Sequence, residues 1–296
     1  MLDGIIWIIS NIGMAYVNVI TALANAPMWL DWSDNQAIQR FVYYGGSVEF
    51  FFVCFTVFLT ITILGFFFRD FLWRVTVGTE WIANTVGRIF VWAGLLMVLQ
   101  QILIVILQRV FAVAQISIGV GKTVTYDVSW WAEELKLYNA IIVCLCCTYT
   151  FVQGGHVRVD LVYSAVRFRT KKVIDMFGSL LFMMPMAVIT WMYGWYFLWR
   201  HLVVPKPSAS DTLERLLAKS RALRWNVETI GFSPNGFNAY FLFKVLLVAF
   251  AGLVFLHACA FFWRSYLEWK EGEESANKYL DKDTLGDGEE VFEGTH

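Results

Sequence analysis

"FFFVCFTVFLTITILGFFF", residues 50–68, runs for 19 residues without a charge or a proline. At 1.5 Å per helical residue it covers about 28 Å, close to the roughly 30 Å hydrocarbon core of a bilayer. Its Phe, Leu, Ile and Val side chains each favour insertion by about 0.3–0.6 kcal/mol. Four further stretches share the property: Ile89–Leu107, Leu137–Gly155, Met176–Trp199 and Val245–Trp263. Burying all of them in a water-soluble protein would require several helices that are apolar all round. Composition agrees with the membrane reading, because 58% of the chain is apolar and only 16% is charged, against about a quarter charged in soluble domains. The expectation is an all-α, polytopic membrane protein.

The ends of these runs support the assignment. Arg69, Arg88, Arg109, Lys136, Arg200 and Arg264 lie just outside them, where long basic stems can reach the headgroups. Trp73, Trp81, Trp130, Trp131, Trp195, Trp199, Trp263 and Trp269 gather at the same levels, as in interfacial aromatic belts. The segment Gly4–Leu30 is uncharged but carries Asn11, Asn18 and Asn25 at seven-residue spacing, one stripe on a helix. "ALANAP" (22–27) resembles a signal-peptidase site, yet Met1–Asp3 offers no basic region before it. A sixth, weaker span is expected there, its Asn stripe packed on protein.

Loop arginines and lysines nearly tie between the two sides, so density decides. Residues 156–175 hold Arg158, Arg167, Arg169, Lys171 and Lys172 in one short loop, which places that loop and both termini in the cytoplasm. Asp211–Arg224 reads as an extramembrane helix, with Asp211 as N-cap and Glu214 completing a capping box. Residues 271–296 carry nine acidic side chains against two lysines, a composition that predicts a disordered tail dispensable for assembly.

Chemistry-bearing motifs are sparse. Cys54, Cys144, Cys146, Cys147 and Cys259 all fall inside apolar spans, at spacings that match no zinc or CxxC motif, so neither a metal nor a catalytic site is expected. The sequence has neither a phosphate-cradling glycine loop nor HExxH, and the basic residues flank spans rather than form a nucleic-acid patch. His257 lies within a span, and His156 sits at a similar depth. Two such histidines can ligate a haem between helices, which keeps a haem b-binding anchor subunit of a redox complex as the alternative. Only Pro185 interrupts a span, and no acidic residue lies deep in one. Ion paths usually carry such groups, so a scaffold or accessory subunit without a cofactor of its own is expected.

Four motifs sharpen this. "VILQRVF" (105–111), "VSWWAEEL" (128–135), "GGHVRVDL" (154–161) and "SPNGFNAYFLFK" (233–244) resemble, in order and spacing, the small membrane subunit of tripartite ATP-independent periplasmic (TRAP) transporters. The resemblance covers roughly residues 88–266 and implies a four-span core there, with a periplasmic loop at 200–238. Residues 1–87 would be an extension of one or two helices, and 267–296 the acidic tail. It also implies an inner-membrane complex for sodium-coupled organic-acid uptake. A periplasmic substrate-binding protein would deliver the acid, and a large permease subunit would carry acid and sodium. The small subunit would brace that subunit's fixed part among the membrane lipids. By the same resemblance Arg109, Trp130, Trp131, Glu133 and Glu134 would sit at the periplasmic edge. His156, Arg158 and Asp160 would cap the cytoplasmic end of the helix that "VSWWAEEL" opens. A chain whose charges only set topology would tolerate replacements at all eight positions.

Overall fold

A computed structural model describes residues 2–118, 124–154, 163, 166–223, 239–276 and 278–283. The chain is all-α, and six of its helices are long and apolar enough to cross a membrane: Asp3–Ala24, Val48–Phe67, Arg69–Val110, Val128–Gln153, Phe168–Trp199 and Phe241–Glu271. Each apolar run read from the sequence falls in one of them. In chain order the helices are α1 (Leu2–Ala24), α2 (Pro27–Leu30), α3 (Asn35–Gly45), α4 (Val48–Phe67), α5 (Arg69–Phe90), α6 (Trp92–Val105) and α7 (Val128–Gln153). Then follow α8 (Phe168–Gly178), α9 (Met184–Trp199), α10 (Leu213–Ala218) and α11 (Phe241–Glu271). A π-helical turn at Ile106–Val110 extends α6, and another at Ser179–Met183 joins α8 to α9. Two short antiparallel ladders decorate the bundle, Gln115–Ile118 with Val124–Asp127 and Val203–Val204 with Ala222–Leu223.

The helix ends are locally specified. Ser47 caps α4 by accepting from the Phe50 amide at 3.2 Å, and the Asp34 carboxylate caps α3 through Gln36 and Ala37. Gly154 ends α7 at φ +77°, the left-handed position that glycine fills without strain.

The polar stretch between the 50–68 and 89–107 runs is a helix, not a loop. Leu72, Thr76, Glu80, Ala83, Asn84 and Gly87 are buried on one stripe of α5, at the 3.6-residue period. Together α5, α6 and the π turn run 42 residues, Arg69–Val110, about 63 Å at 1.5 Å per residue. A bilayer needs half of that, and only Ile89–Leu107 has the composition for it. Residues 69–88 therefore form an arm at the end of the bundle where α7 and α11 finish. The helix of the arm runs without a break through residue 87.

Two apolar clusters anchor the ends. At the Glu271 end, Phe58, Leu72, Trp73, Met184, Cys259, Trp263 and Leu267 pack together. There the Trp263 indole donates to Thr62 Oγ1 at 2.9 Å, and that hydroxyl donates to the Phe58 carbonyl at 2.7 Å. At the Val48 end, Ile38 and Val42 of α3 meet Trp195, Leu198 and Trp199 of α9. The indoles of Trp195 and Trp191 donate to the Val42 and Gly45 carbonyls at 2.8 and 2.9 Å, and the Tyr196 hydroxyl donates to Gly46. These side chains satisfy the carbonyls that the end of α3 leaves open.

Helix senses follow from contact pairs. Thr62 meets Trp263 and Phe66 meets Tyr266, so α4 and α11 run the same way. Trp7 packs on Phe52 at 5.3 Å and the Tyr16 hydroxyl meets Thr60 Oγ1 at 2.7 Å, so α1 lies against α4, and Trp29 ties Ala22 back to Phe41 of α3.

Two other expectations change. The extramembrane helix is only Leu213–Ala218, with Thr212 at its N-cap and no side-chain cap bond. The Asp211 carboxylate accepts from Arg215 at 2.9 Å instead of closing a capping box, and Ala222–Leu223 join a ladder. The start of the acidic tail is folded: residues 272–276 and 278–283 lie against α5, α7 and α11 through the ion pairs described below. Residues 284–296 lie outside the described residues.

A test of the α5–α7 contact uses two glycines on one helix. A Cβ on Gly87 would sit 2.1 Å from Tyr149 Cβ, whereas one on Gly78 would meet nothing within 4 Å. Gly87→Ala is expected to lose about 1–3 kcal/mol by overpacking, and Gly78→Ala to gain up to about 1 kcal/mol from helix propensity. Thermal unfolding of both variants in the same detergent checks the opposite signs.

Candidate functional site

The polar chemistry of the described residues concentrates where α5, α8 and α11 meet, in a place the sequence reading passed over. Arg264, one residue beyond the Val245–Trp263 run, does not snorkel to the headgroups: it is 7% exposed. Its Nε and Nη2 atoms donate to the two carboxylate oxygens of Glu80, each at 2.5 Å. Nη1 donates to the Lys278 carbonyl at 3.0 Å and lies 3.5 Å from the Glu268 carboxylate, while the guanidinium faces the Trp73 ring at 5.4 Å. A planar fork matched to one carboxylate is the geometry that arginine makes best. Glu268 also takes Lys172 of α8 at 2.5 Å. Lys172 is 3.9 Å from Asp175, which accepts from the Tyr163 hydroxyl at 2.8 Å. One chain of opposite charges therefore ties three helices together.

Beside it the tail closes a second junction. Arg88 at the end of the arm donates to Asp281 at 2.7 and 2.9 Å and to Asp283 at 2.6 and 3.1 Å. Asn84 and Gln153 donate to the Asp281 carbonyl, Gln153 accepts from the Asp283 amide, and Tyr149 donates to the Asp283 carboxylate. The Arg88 bond, helped by Asn84, holds the Asp281 carboxyl below the usual carboxylate range. The Tyr149 hydroxyl and then Arg88 do the same for Asp283.

Neither junction is arranged for catalysis. The charges face one another, and each strong donor named above is already given to a carboxylate or carbonyl. Such a network fixes helices in place. Among the described residues no group of three or more His, Cys, Asp or Glu could hold a metal ion, and all five cysteines are free thiols.

Among the described members of the eight residues singled out from the sequence, Glu134 and Trp131 are tied to a neighbouring helix. Gln100, in the middle of α6, donates to the Glu134 carboxylate at 3.0 Å and to the Trp131 carbonyl at 3.1 Å, pinning α6 to the first turns of α7. Trp130, Trp131 and Glu133 are partly exposed in those turns, and Arg109 is exposed in the π turn that ends the first family-like helix. His156, Arg158 and Asp160 lie outside the described residues. His257 is buried with its ring stacked 5.5 Å from Phe151. Sequence reasoning missed Glu80, Arg264, Glu268 and Lys172. The available signal was Glu80 on the buried stripe of an amphipathic helix, a position a carboxylate holds only with a partner.

Residues 118–212, roughly a third of the chain, match the family model described as "Tripartite ATP-independent periplasmic transporters, DctQ component". That stretch contains both "VSWWAEEL" and "GGHVRVDL", so the resemblance to the TRAP small membrane subunit is supported by an independent comparison. The matched family is a transporter component and not an enzyme, and it lends nothing to the haem-anchor alternative. No curated protein and no solved structure gives a significant match.

Two outcomes follow from the junctions. Arg264→Leu or Glu80→Leu alone leaves a buried charge unpaired and is expected to cost about 3–5 kcal/mol, whereas the double replacement should recover most of it. Thermal unfolding of the four proteins closes that double-mutant cycle. For the tail, a depressed folded-state pKa stabilises at pH above the unfolded value, about 3.9, and the effect is lost as pH falls through the lower folded values. Protease cleavage between residues 272 and 283 should therefore be slow at neutral pH and faster in acid or high salt. Asp281→Asn with Asp283→Asn should make it fast at every pH.

Proposed function

We propose that this chain is the small, fixed membrane subunit of a sodium-coupled, binding-protein-dependent transporter that takes up organic acids. The observation that carries the reading is the buried charge chain from Glu80 through Arg264 and Glu268 to Lys172, which makes one block of the arm, α8 and α11. An element that moves substrate needs an immobile neighbour, and a block locked by compensated charges is suited to be one. The family match at 118–212 supplies the kind of assembly. The block itself offers no coordination cage for sodium or a carboxylate substrate.

In this reading a larger polytopic permease subunit carries acid and sodium in the bacterial inner membrane, and a periplasmic protein delivers the acid. The end of the bundle holding the arm, the 155–167 connection and the tail faces the cytoplasm, because the densest short run of basic residues lies there. The α6–α7 end, with Arg109, Trp130, Trp131, Glu133 and Glu134, then faces the periplasm. His156, Arg158 and Asp160 follow the cytoplasmic end of α7, where Arg158 sets the connection to α8. The broad apolar surfaces of α1 and α6 are left for lipid and for the large subunit, through close van der Waals packing.

Reconstitution tests the division of labour. Liposomes holding this chain alone should show no organic-acid uptake. Uptake should appear only with the co-purifying large subunit, the binding protein and a sodium gradient. Transport by the chain alone would overturn the reading. Within the pair, Arg158→Glu should reduce recovery of the complex more than Lys122→Glu, and a cysteine replacing Arg169 should label only from the cytoplasmic side.

A further inference from the structure

Between α7, α9 and α11 lies a cavity of about 720 Å³, within the range of ligand sites, about 300–1,000 Å³. Its polar end borders the charge junction through Asp175 and Tyr163. Its body is apolar, walled by Phe151, Phe182, Met186, Val254 and Phe261, with the His257 ring against Phe151. The π turn Ser179–Met183 forms part of the rim, and inserted π turns often mark functional sites. Phe182 and Met186 on that rim are 72% and 63% exposed, so the cavity opens on the apolar flank of the bundle.

The polar groups collect at one end. Tyr163 donates to Asp175 at 2.8 Å there, and Lys171 Nζ stands 5.3 Å over the Tyr163 ring. Arg167 and Arg169, at the start of α8, are exposed. Lys172 is engaged with Glu268 and Asp175, which leaves Arg167 and Lys171, on the helix face that carries Ile174 and Gly178, as the basic groups at that end. The groove follows α8 and α9 from Ile174 to Thr190, about 24 Å at 1.5 Å per residue.

We propose that this groove binds an anionic phospholipid of the surrounding bilayer, one acyl chain lying along Phe182, Met186 and Phe261 and the phosphate at Arg167 and Lys171. An occupant must be long, thin and apolar with a negative end, and a phospholipid has that shape and charge. Basic rims between membrane helices recognise anionic headgroups, with an effect of about fivefold per lysine or arginine.

Native mass spectrometry of the full chain in mild detergent, titrated with phosphatidylglycerol or phosphatidylethanolamine, tests this. The wild-type chain should retain one phosphatidylglycerol in preference to phosphatidylethanolamine. Met186→Trp, which fills the groove, should lower retention about tenfold, while Leu181→Trp on the exposed outer face should not. Arg167→Gln with Lys171→Gln should abolish the headgroup preference. A photo-crosslinker at position 186 in native membranes should capture lipid, which keeps the test valid if Met186→Trp folds poorly. Equal retention by wild type and Met186→Trp, absence of a headgroup preference, or capture of a protein helix at position 186 would each overturn the proposal.

Discussion

The guanidinium of Arg264 meets the carboxylate of Glu80 in a place that water does not reach, and the remaining elements arrange around that contact. Taking two such ions out of water costs several kcal/mol each, offset only when the geometry is good and every remaining donor is used. Here the fork of Arg264 matches both oxygens of Glu80, its last nitrogen takes the Lys278 carbonyl, and Trp73 covers the plane. The requirement propagates outward. For Glu80 to face α11, the arm must lie against it along the Leu72–Gly87 stripe. For Glu268 to remain charged it takes Lys172, which docks α8. Replacing the pair by well-packed apolar side chains would be near neutral for stability, so its effect is a single register of the arm rather than strength.

That register fixes the arm against α11. An apolar arm could slide along α11, because van der Waals packing in a membrane discriminates weakly between neighbouring positions. A bidentate ion pair one turn from a second one cannot slide. The tail adds to the same end: Asp281 and Asp283 pull Arg88 toward the finish of α7, so residues 272–283 staple the arm to the helix that "VSWWAEEL" opens. These contacts are half exposed and screened by salt, unlike the Arg264 pair, so the staple is the adjustable part of a rigid block.

The spans were legible because a span needs only composition: nineteen uncharged residues at 50–68 are enough to place α4. Glu134 was legible through its motif, but Gln100, its partner, was hidden in the run Ile89–Leu107 as one polar residue among apolar ones. Pairing was not legible. Glu80 and Arg264 are 184 positions apart, and nothing local tells which basic side chain a buried carboxylate will meet. The arm was disguised because Thr76, Glu80 and Asn84 make a stripe that is buried without being apolar. The tail misled in the other direction: a run of carboxylates normally stays solvated, and only Arg88, nearly two hundred residues away, gives Asp281 and Asp283 a reason to dock. The short helix α10 differs from its expected form because Asp211 serves Arg215 rather than the backbone.

The central claim is that the arm, α8 and α11 move as one body. Spin labels at Gly78→Cys on the arm and Thr170→Cys on α8, in a chain otherwise free of reactive cysteine and assembled with its large subunit, report on it directly by double electron–electron resonance. A rigid block gives one narrow distance distribution, unchanged by sodium, organic acid or the binding protein. A substrate-dependent displacement on the scale of a helical turn, about 5.4 Å, would mean that the arm and α8 move relative to one another and form no single block.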